Sequence, residues 1–561
     1  MPDRDAPPDW RVEARVLMRL VVPICVQMGS QQLMVSTDLI YLGRLGRFAL
    51  AVGTLASTVF NLLWFGIAGF GTAFDTLGSQ AHGAGDAVAV RNWAVLAAAQ
   101  LSLFCLPAAF ILLCGKWIAS YVLSQDDETS SAVGTFCTVL LLGLWPAALT
   151  LVLQKYLQVR NVVLPVAVTS LITFLLNIAA NWFFIYGCGL GITGSALATT
   201  FSRFVNLVLL TEYVHRTPGE RNAIYDLTRA ITTGTTAGHT SENSLMEQLS
   251  FDLNQERASA AGHASSSTGI PSTQQSSKTF LDVLNESYRG IDNAAVTEMT
   301  KLGWRGAVMV AAEASSFDVT VVFASQLSQV ALDAHMAMMN ICALTFMTGP
   351  MAFGIAANVR VGNLLGSGDA DQAKVSAAVA VTIGILWMAF CAVAIVASGT
   401  TVGEVFVGTG EKEVVKTVAK IAPYAAVFQV ADGVLGTANG VLRAAGKQSE
   451  LAVVNLVALW GGGVTIGALC TFVLHTGVVG LWIGLALGVS GGAAWLGRST
   501  LKLDWHHEAR LARANAALGG ASGVLVDSVD NEDEDDERAA LVDSVDVAPA
   551  NDYNYSNVGN Y

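Results

Sequence analysis

Twelve stretches of predominantly apolar residues, each long enough to cross a bilayer, leave this chain of 561 residues few ways to fold. A span needs about 20 such residues. They read as 16–42, 48–71, 93–115, 132–153, 164–187, 190–213, 304–328, 333–358, 374–398, 414–440, 450–474 and 478–501. Inside lipid a backbone must satisfy its own amides, which dictates helices or a closed barrel, and spans of this length are helical. An all-α integral membrane protein is therefore expected. The spans fall six and six about a polar stretch. Each half also places a Gly-rich break after its second span, Leu77-Gly-Ser-Gln-Ala-His-Gly-Ala-Gly-Asp86 and Val361-Gly-Asn-Leu-Leu-Gly-Ser-Gly-Asp369. An even number of spans gives both halves one orientation, so two six-helix lobes related by a pseudo-two-fold axis along the membrane normal are expected.

Composition supports this and removes other classes. Hydrophobic residues make up 53% and charged residues 13%, against about 25% charged in soluble domains. The net charge of −13 is local: beyond Leu518, eleven acidic residues face only Arg538. It describes a tail and carries no information about a substrate. No basic cluster offers a nucleic-acid footprint. The eight cysteines form no CxxC pair and no metal-ligand spacing, and read as packing residues. The start, Met1–Trp10, lacks the pattern of a cleavable signal. Most of the 31 basic residues lie on one side of the spans, among them Arg11, Arg15, Arg19, Lys155, Arg160, Arg360, Lys374, Arg443, Lys447, Arg498 and Lys502. By the positive-inside rule both termini are cytoplasmic, with Arg44 and Arg47 as exceptions.

The domain plan is a cytoplasmic N-terminus (1–15), an N-lobe (16–213), a linker (214–303), a C-lobe (304–501) and a tail (502–561). The linker is rich in Ser, Thr, Gly and Ala and is expected to be a disordered cytoplasmic insertion. A short amphipathic piece around Phe280–Tyr288 is suited to the bilayer surface. The tail repeats Leu-Val-Asp-Ser-Val-Asp at 525–530 and 541–546 around an acidic run, and is expected to be disordered. Glu537-Arg-Ala-Ala-Leu-Val and Tyr555-Ser-Asn-Val558 resemble eukaryotic sorting signals, which makes sorting machinery a candidate partner.

Charges inside spans are costly and so mark candidate sites. Glu313 lies nine residues into the seventh span, near mid-bilayer. Asp318, five residues on, points about 140° away from it. Asp432 sits in the tenth span between Gln429 and Gly433, and Asp38 near the outer end of the first. A carboxyl among apolar helices holds its proton more tightly than in water, which suits ion-coupled exchange. The alternative for each is a structural, hydrogen-bonded carboxyl or an ion pair; Arg203 is a candidate structural partner. Asn177 and Asn181 share one face of the fifth span. With Gln31, Gln429 and His335 they are candidates to line a cavity or to bond neighbouring helices.

Ala73-Phe-Asp-Thr-Leu-Gly-Ser-Gln-Ala-His-Gly-Ala-Gly, Val359-Arg-Val-Gly-Asn-Leu-Leu-Gly-Ser-Gly-Asp and Leu442-Arg-Ala-Ala-Gly-Lys-Gln resemble signatures of the multidrug and toxic compound extrusion (MATE) family. Tyr156-Leu-Gln-Val, Leu176-Asn-Ile-Ala-Ala-Asn and Leu190-Gly-Ile-Thr-Gly-Ser-Ala-Leu-Ala match further stations, so the resemblance covers about 16–500. It implies an antiporter that exports organic, often cationic, compounds against a proton or sodium gradient, with two lobes around a cleft that opens alternately to each side. Glu313-Ala-Ser-Ser-Phe-Asp318 and Asp432 occupy the acidic positions of eukaryotic-like members, and Asp38 that of prokaryotic-type members. Two departures stand out. Ala314 and Ser315 replace bulky aromatics, and Asn181 stands where some archaeal-type members place an aspartate.

The expectation is a proton-coupled exporter, sodium being the second choice of ion, with no cofactor, no enzymatic activity and no nucleic-acid partner. It is expected as a monomer in the plasma membrane or a vacuolar or endosomal membrane. Its rivals are an exporter of organic anions such as citrate, a lipid-carrier flippase of the same superfamily, and a membrane receptor or scaffold.

Overall fold

In a computed structural model that describes residues 9–217, 293–398, 400, 401, 404 and 411–520, every regular element is a helix. The N-lobe contains α1 (Trp10–Leu45), α2 (Arg47–Gly83, interrupted at Gly71) and α3 (Ala87–Leu113). It continues with α4 (Asp127–Leu142 and Leu144–Val159, bent by 41° at Gly143), α5 (Leu164–Gly187) and α6 (Gly191–Arg216). The C-lobe contains α7 (Asn293–Ser325), α8 (Gln329–Ser367, broken before Pro350), α9 (Ala370–Ser398), α10 (Lys412–Ala444), α11 (Gln448–Val473) and α12 (Val478–Lys502). A thirteenth helix, α13 (Trp505–Gly519), follows.

Among the described residues nine of these helices, or ten with the bent α4, are long and apolar enough to cross a membrane by their own composition. The other two of the twelve, α1 and α6, fall short because their polar residues turn inward. Gln27 accepts from Gln158 at 2.9 Å and donates to Gln154 at 3.2 Å. Thr200 donates to the Val139 carbonyl at 3.0 Å. Lipid instead meets an apolar belt that includes Leu106, Phe110, Leu175, Phe390 and Val393, all exposed. A soluble protein does not leave such a patch uncovered.

Three boundaries differ from expectation. Helix α1 begins at Trp10 and α7 at Asn293, so both run past the edge of the apolar stretch. The acidic tail does not start at 502: Trp505, Ala509, Ala512 and Ala516 form a buried stripe at helical spacing, and Asp504 caps the helix by accepting from the His507 amide at 3.1 Å. The remainder of the linker and tail, with the 280–288 piece and both sorting-like patterns, lies outside the described residues.

The duplicated Gly-rich breaks are matching turns. Gly85 and Gly368 adopt φ of +80° and +81°, a left-handed conformation that favours glycine. The aspartate after each caps the next helix: Asp86 accepts from the Ala89 amide at 2.8 Å and Asp369 from the Gln372 amide at 3.1 Å. The two halves also exchange equivalent segments. Leu17, Leu20 and Ile24 of α1 pack with Phe353, Val361 and Trp505 of the C-lobe side. Met299, Leu302 and Ala307 of α7 join the N-lobe core with Phe70, Phe74 and Trp93.

The root of α1 is tied across by an ion pair outside the spans. Glu13, fully buried, accepts from Arg360 Nη2 at 2.6 Å and Nε at 3.1 Å. Gln372 Nε2 adds a third bond at 2.5 Å. Burial pushes the Glu13 carboxyl up, but the hydrogen bonds and charge of Arg360, with Gln372 and Ser376, hold it below its ordinary 4.5. A depressed carboxylate stabilises the fold above that ordinary value, and the contribution is lost as pH falls through the lowered one. The protection factor of the amides near the start of α1 is therefore expected to fall as acid protonates Glu13. A Glu13→Gln variant should exchange fast across the whole range. Equal protection in both proteins at neutral pH would refute the pairing.

Candidate functional site

Two carboxyl clusters lie inside the lobes, one in each. In the N-lobe, Asp38 of α1 is gripped by two neighbouring helices. Asn181 Nδ2 of α5 donates to Oδ1 at 2.7 Å, and Thr199 Oγ1 of α6 donates to Oδ2 at 2.7 Å. Asn181 also donates to Asn177 Oδ1 at 3.2 Å, and both asparagines are fully buried. The i, i+4 spacing anticipated that these asparagines share a face. It did not reveal Thr199, because mid-helix Ser and Thr side chains commonly bond back to their own helix.

In the C-lobe, Glu313 of α7 is partly buried, and its Oε2 accepts from Asn455 Nδ2 of α11 at 3.2 Å. Asn455 is fully buried, its Nδ2 also reaches the Met309 carbonyl at 3.4 Å, and its Oδ1 has no hydrogen-bond partner. Trp460 Nε1 donates to the Ala312 carbonyl at 2.9 Å, which fixes α11 against α7 beside Glu313. Asp432 of α10 is buried within electrostatic reach of Glu313. Arg443, at the far end of α10, also lies within reach of Glu313, although no ion pair joins them among the described residues. Ser315 turns its hydroxyl back to the Ala311 carbonyl at 2.6 Å.

The other candidates separate. Asp318 is exposed, in helical register with the exposed Trp304, Val308 and Val322. Glu313 and Asp318 do not form one cluster, as their angular offset required. His335 is not on a cavity wall: it is fully buried in the C-lobe core, with Nε2 3.1 Å from Thr320 Oγ1 and its ring 5.7 Å from that of Trp482. Gln429 is likewise enclosed, donating to Thr345 Oγ1 at 2.7 Å. Gln31 is partly buried on α1. Arg203 of α6 lies with its guanidinium 3.9 Å over the Phe60 ring. Lys155 is buried and paired with Asp75 at 2.5 Å, and Arg443 is buried as well.

The lobes meet on the face that carries the N-terminus. Thr76 of α2 donates to the Arg443 carbonyl at 2.7 Å and accepts from Gln448 at 2.8 Å, and Gln80 donates to the Ala444 carbonyl at 2.8 Å. Asn515 of α13 donates to Gln80 at 3.0 Å, and Arg513 to the Ser367 carbonyl at 2.8 Å, so α13 spans both lobes. Cys25 Sγ of α1 donates to the Thr348 carbonyl at 3.0 Å, and Gln100 Nε2 of α3 to Thr300 Oγ1 of α7 at 2.9 Å. The residue whose carbonyl anchors this seam, Arg443, is also the one whose charge reaches Glu313.

The family model named MatE matches residues 23–183 and 307–469, the two lobes. Multidrug and toxin extrusion protein 1 of Oryctolagus cuniculus is 29% identical over 92% of this chain and 81% of its own length. Protein DETOXIFICATION 12 of Arabidopsis thaliana is 25% identical over 91% and 93%. Among solved structures, the eukaryotic MATE transporter AtDTX14 matches with a TM-score of 0.73 at 21% identity, over 90% of this chain and 99% of its own. A Vibrio cholerae MATE transporter matches with a TM-score of 0.69 at 15% identity, over 89% and 99%.

Proposed function

Because this chain belongs to the MatE family of membrane transporters, we propose that it is a secondary antiporter that exports organic, mainly cationic, compounds in exchange for protons. The names of its relatives, multidrug and toxin extrusion proteins, support an exporter of varied compounds. The single observation that carries the choice of ion is the placement of two carboxyls inside one lobe, Glu313 held by the buried Asn455 and Asp432 buried on α10. Like charges repel strongly in a low-dielectric site, so the pair is suited to gain and lose one proton as its surroundings change.

Asn455 reads that proton. Its Nδ2 donates to Glu313 when the carboxylate is ionised. When Glu313 carries a proton, a turn of the amide presents Oδ1, which otherwise lacks a partner, as the acceptor. We further propose that the charge of Glu313 is felt at Arg443, whose carbonyl holds Thr76 across the seam. Protonation thus alters the field at the residue that closes one face. A proton can shift a two-state equilibrium only by binding one state more tightly, and this linkage supplies the difference. If both termini are cytoplasmic, as the distribution of basic residues suggests, the seam of Thr76, Gln80 and Gln448 holds the lobes together on the cytoplasmic side. The protein then resides in the plasma membrane or a vacuolar or endosomal membrane, with a small-molecule substrate and no cofactor besides the coupling ion.

The test is reconstitution into proteoliposomes with pH and sodium gradients imposed separately. A fluorescent organic cation is expected to move against its gradient when only a pH gradient is present. Transport that follows sodium at fixed pH, and ignores pH, would overturn the choice of ion.

A further inference from the structure

Helix α13 is the described element that the transport reading leaves without a task. Only Leu503 and Asp504 separate it from α12, so the C-lobe carries it, yet its last turn ends on the N-lobe. The first part of the helix is rooted in the C-lobe. Trp505, Ala509 and Ala512 are buried in one core with Leu365, Ala370 and Ala373. Glu508, 4% exposed, pairs with Lys447 Nζ at 2.7 Å. Arg513 Nη2 donates to the Ser367 carbonyl at 2.8 Å, and its guanidinium fills the place that a Cβ on Gly368 would take. The last turn reaches across the seam. Asn515 Nδ2 donates to Gln80 Oε1 at 3.0 Å, and Asn92 Nδ2 donates to the Gly519 carbonyl at 2.9 Å. Ala516 joins the N-lobe core that contains Trp93. Gly519 lies flush on the Trp93 indole, where a Cβ would overlap the ring.

The two ends differ in strength. The root has a buried tryptophan and a charge pair withdrawn from water, which is costly to break once made. The tip has two neutral hydrogen bonds, each of modest net worth, and the packing of an alanine and a glycine. One continuous helix cannot keep both ends seated when the lobes part at this face, so the tip lets go first. Gln80 makes the tip part of the seam: it takes the Asn515 bond on Oε1 and gives its own to the Ala444 carbonyl at 2.8 Å. From this arrangement we infer that α13 is a latch, a strap carried by the C-lobe that holds the N-lobe by its last turn and sets the balance between closed and open seam. The inference rests on the exporter reading only for the existence of an open state.

The test uses the full-length protein in a cysteine-free background, reconstituted in nanodiscs. Spin labels are placed in pairs among the exposed Ala84 of the N-lobe, Lys374 of the C-lobe and Ala517 of α13. Removing both tip bonds with Asn92→Ala and Asn515→Ala is expected to raise the ratio of open to closed seam by about tenfold, the scale of two lost hydrogen bonds. It is read as a longer Ala84–Lys374 distance. Gly519→Val, which drives a side chain into the Trp93 ring, should act in the same direction. Gly366→Val forces the seam apart and leaves α13 unaltered. In that protein the Ala84–Ala517 distance should lengthen while the Lys374–Ala517 distance stays as in the wild type, a result that needs no tip variant to fold. If Gly366→Val opens the seam and folded, monodisperse tip variants leave it closed, the latch is overturned and alternation at the seam stands. If Ala517 stays with Ala84 and parts from Lys374, the N-lobe carries the strap and the inference also fails. If no variant opens the seam, the latch and the opening of this face fall together.

Discussion

Replacing Glu313 with glutamine is expected to reduce proton-driven export of an organic cation by at least about tenfold, because the driving ion then has no differential affinity for the two cleft states. Glutamine preserves the size of the side chain and can still accept from Asn455 Nδ2, so the α7–α11 contact should survive. Thermal stability should hold, since glutamine keeps the shape of the side chain and its bond to Asn455. The two readouts together separate coupling from structure. A purely structural Glu313 predicts lost stability with lost transport, and a dispensable one predicts neither. Transport by Glu313→Gln at wild-type rate would remove Glu313 from the mechanism. The same assay on Asp432→Asn asks whether the proton belongs to the pair, and the expected result is a loss of similar direction.

How far the sequence reveals this site depends on whether a residue's meaning is local. Twelve spans and their six-plus-six division are legible because about 20 apolar residues have one use in a chain like this. Positions within a helix are also legible: the offset between Glu313 and Asp318 requires different faces, and the structure puts one beside Asn455 and leaves the other exposed. Partnerships across helices are not. Lys155 pairs with Asp75 from 80 positions away, and nothing in either neighbourhood signals it. Asn455 and Thr199 read as ordinary polar residues able to bond any adjacent helix. His335 looks like a cavity residue in sequence because it is polar, yet it is fully buried in the core, with Nε2 against Thr320 and Nδ1 without a partner among the described residues. Helix α13 escapes notice because an alanine stripe carries too little hydrophobicity to stand out beside an acidic tail.

The second large effect is expected at the seam, where glycines let the lobes approach backbone to backbone. A Cβ at Gly83 of α2 would overlap the Asn363 carbonyl, and one at Gly366 of α8 the Gln80 carbonyl. A Cβ at Gly69 would stand 2.6 Å from the Gly306 carbonyl of α7. The obstacle is main chain in each case, so no rotamer change relieves it. Overpacking of this kind costs about 1–3 kcal/mol, and because it falls between lobes it is charged to one conformation alone. Gly366→Val should therefore lower the ratio of closed to open seam by about tenfold. Spin labels at the exposed Ala84 and Lys374, in a cysteine-free background, should report a longer distance. Gly440→Val offers the contrast. Its Cβ would overlap Gly354 within the C-lobe, so the penalty falls on both conformations and should appear as a lower melting temperature with an unchanged label distance. If Gly366→Val lowers the melting temperature and leaves the distance unchanged, the seam does not open in the transport cycle, and the alternation of access must occur elsewhere in the bundle.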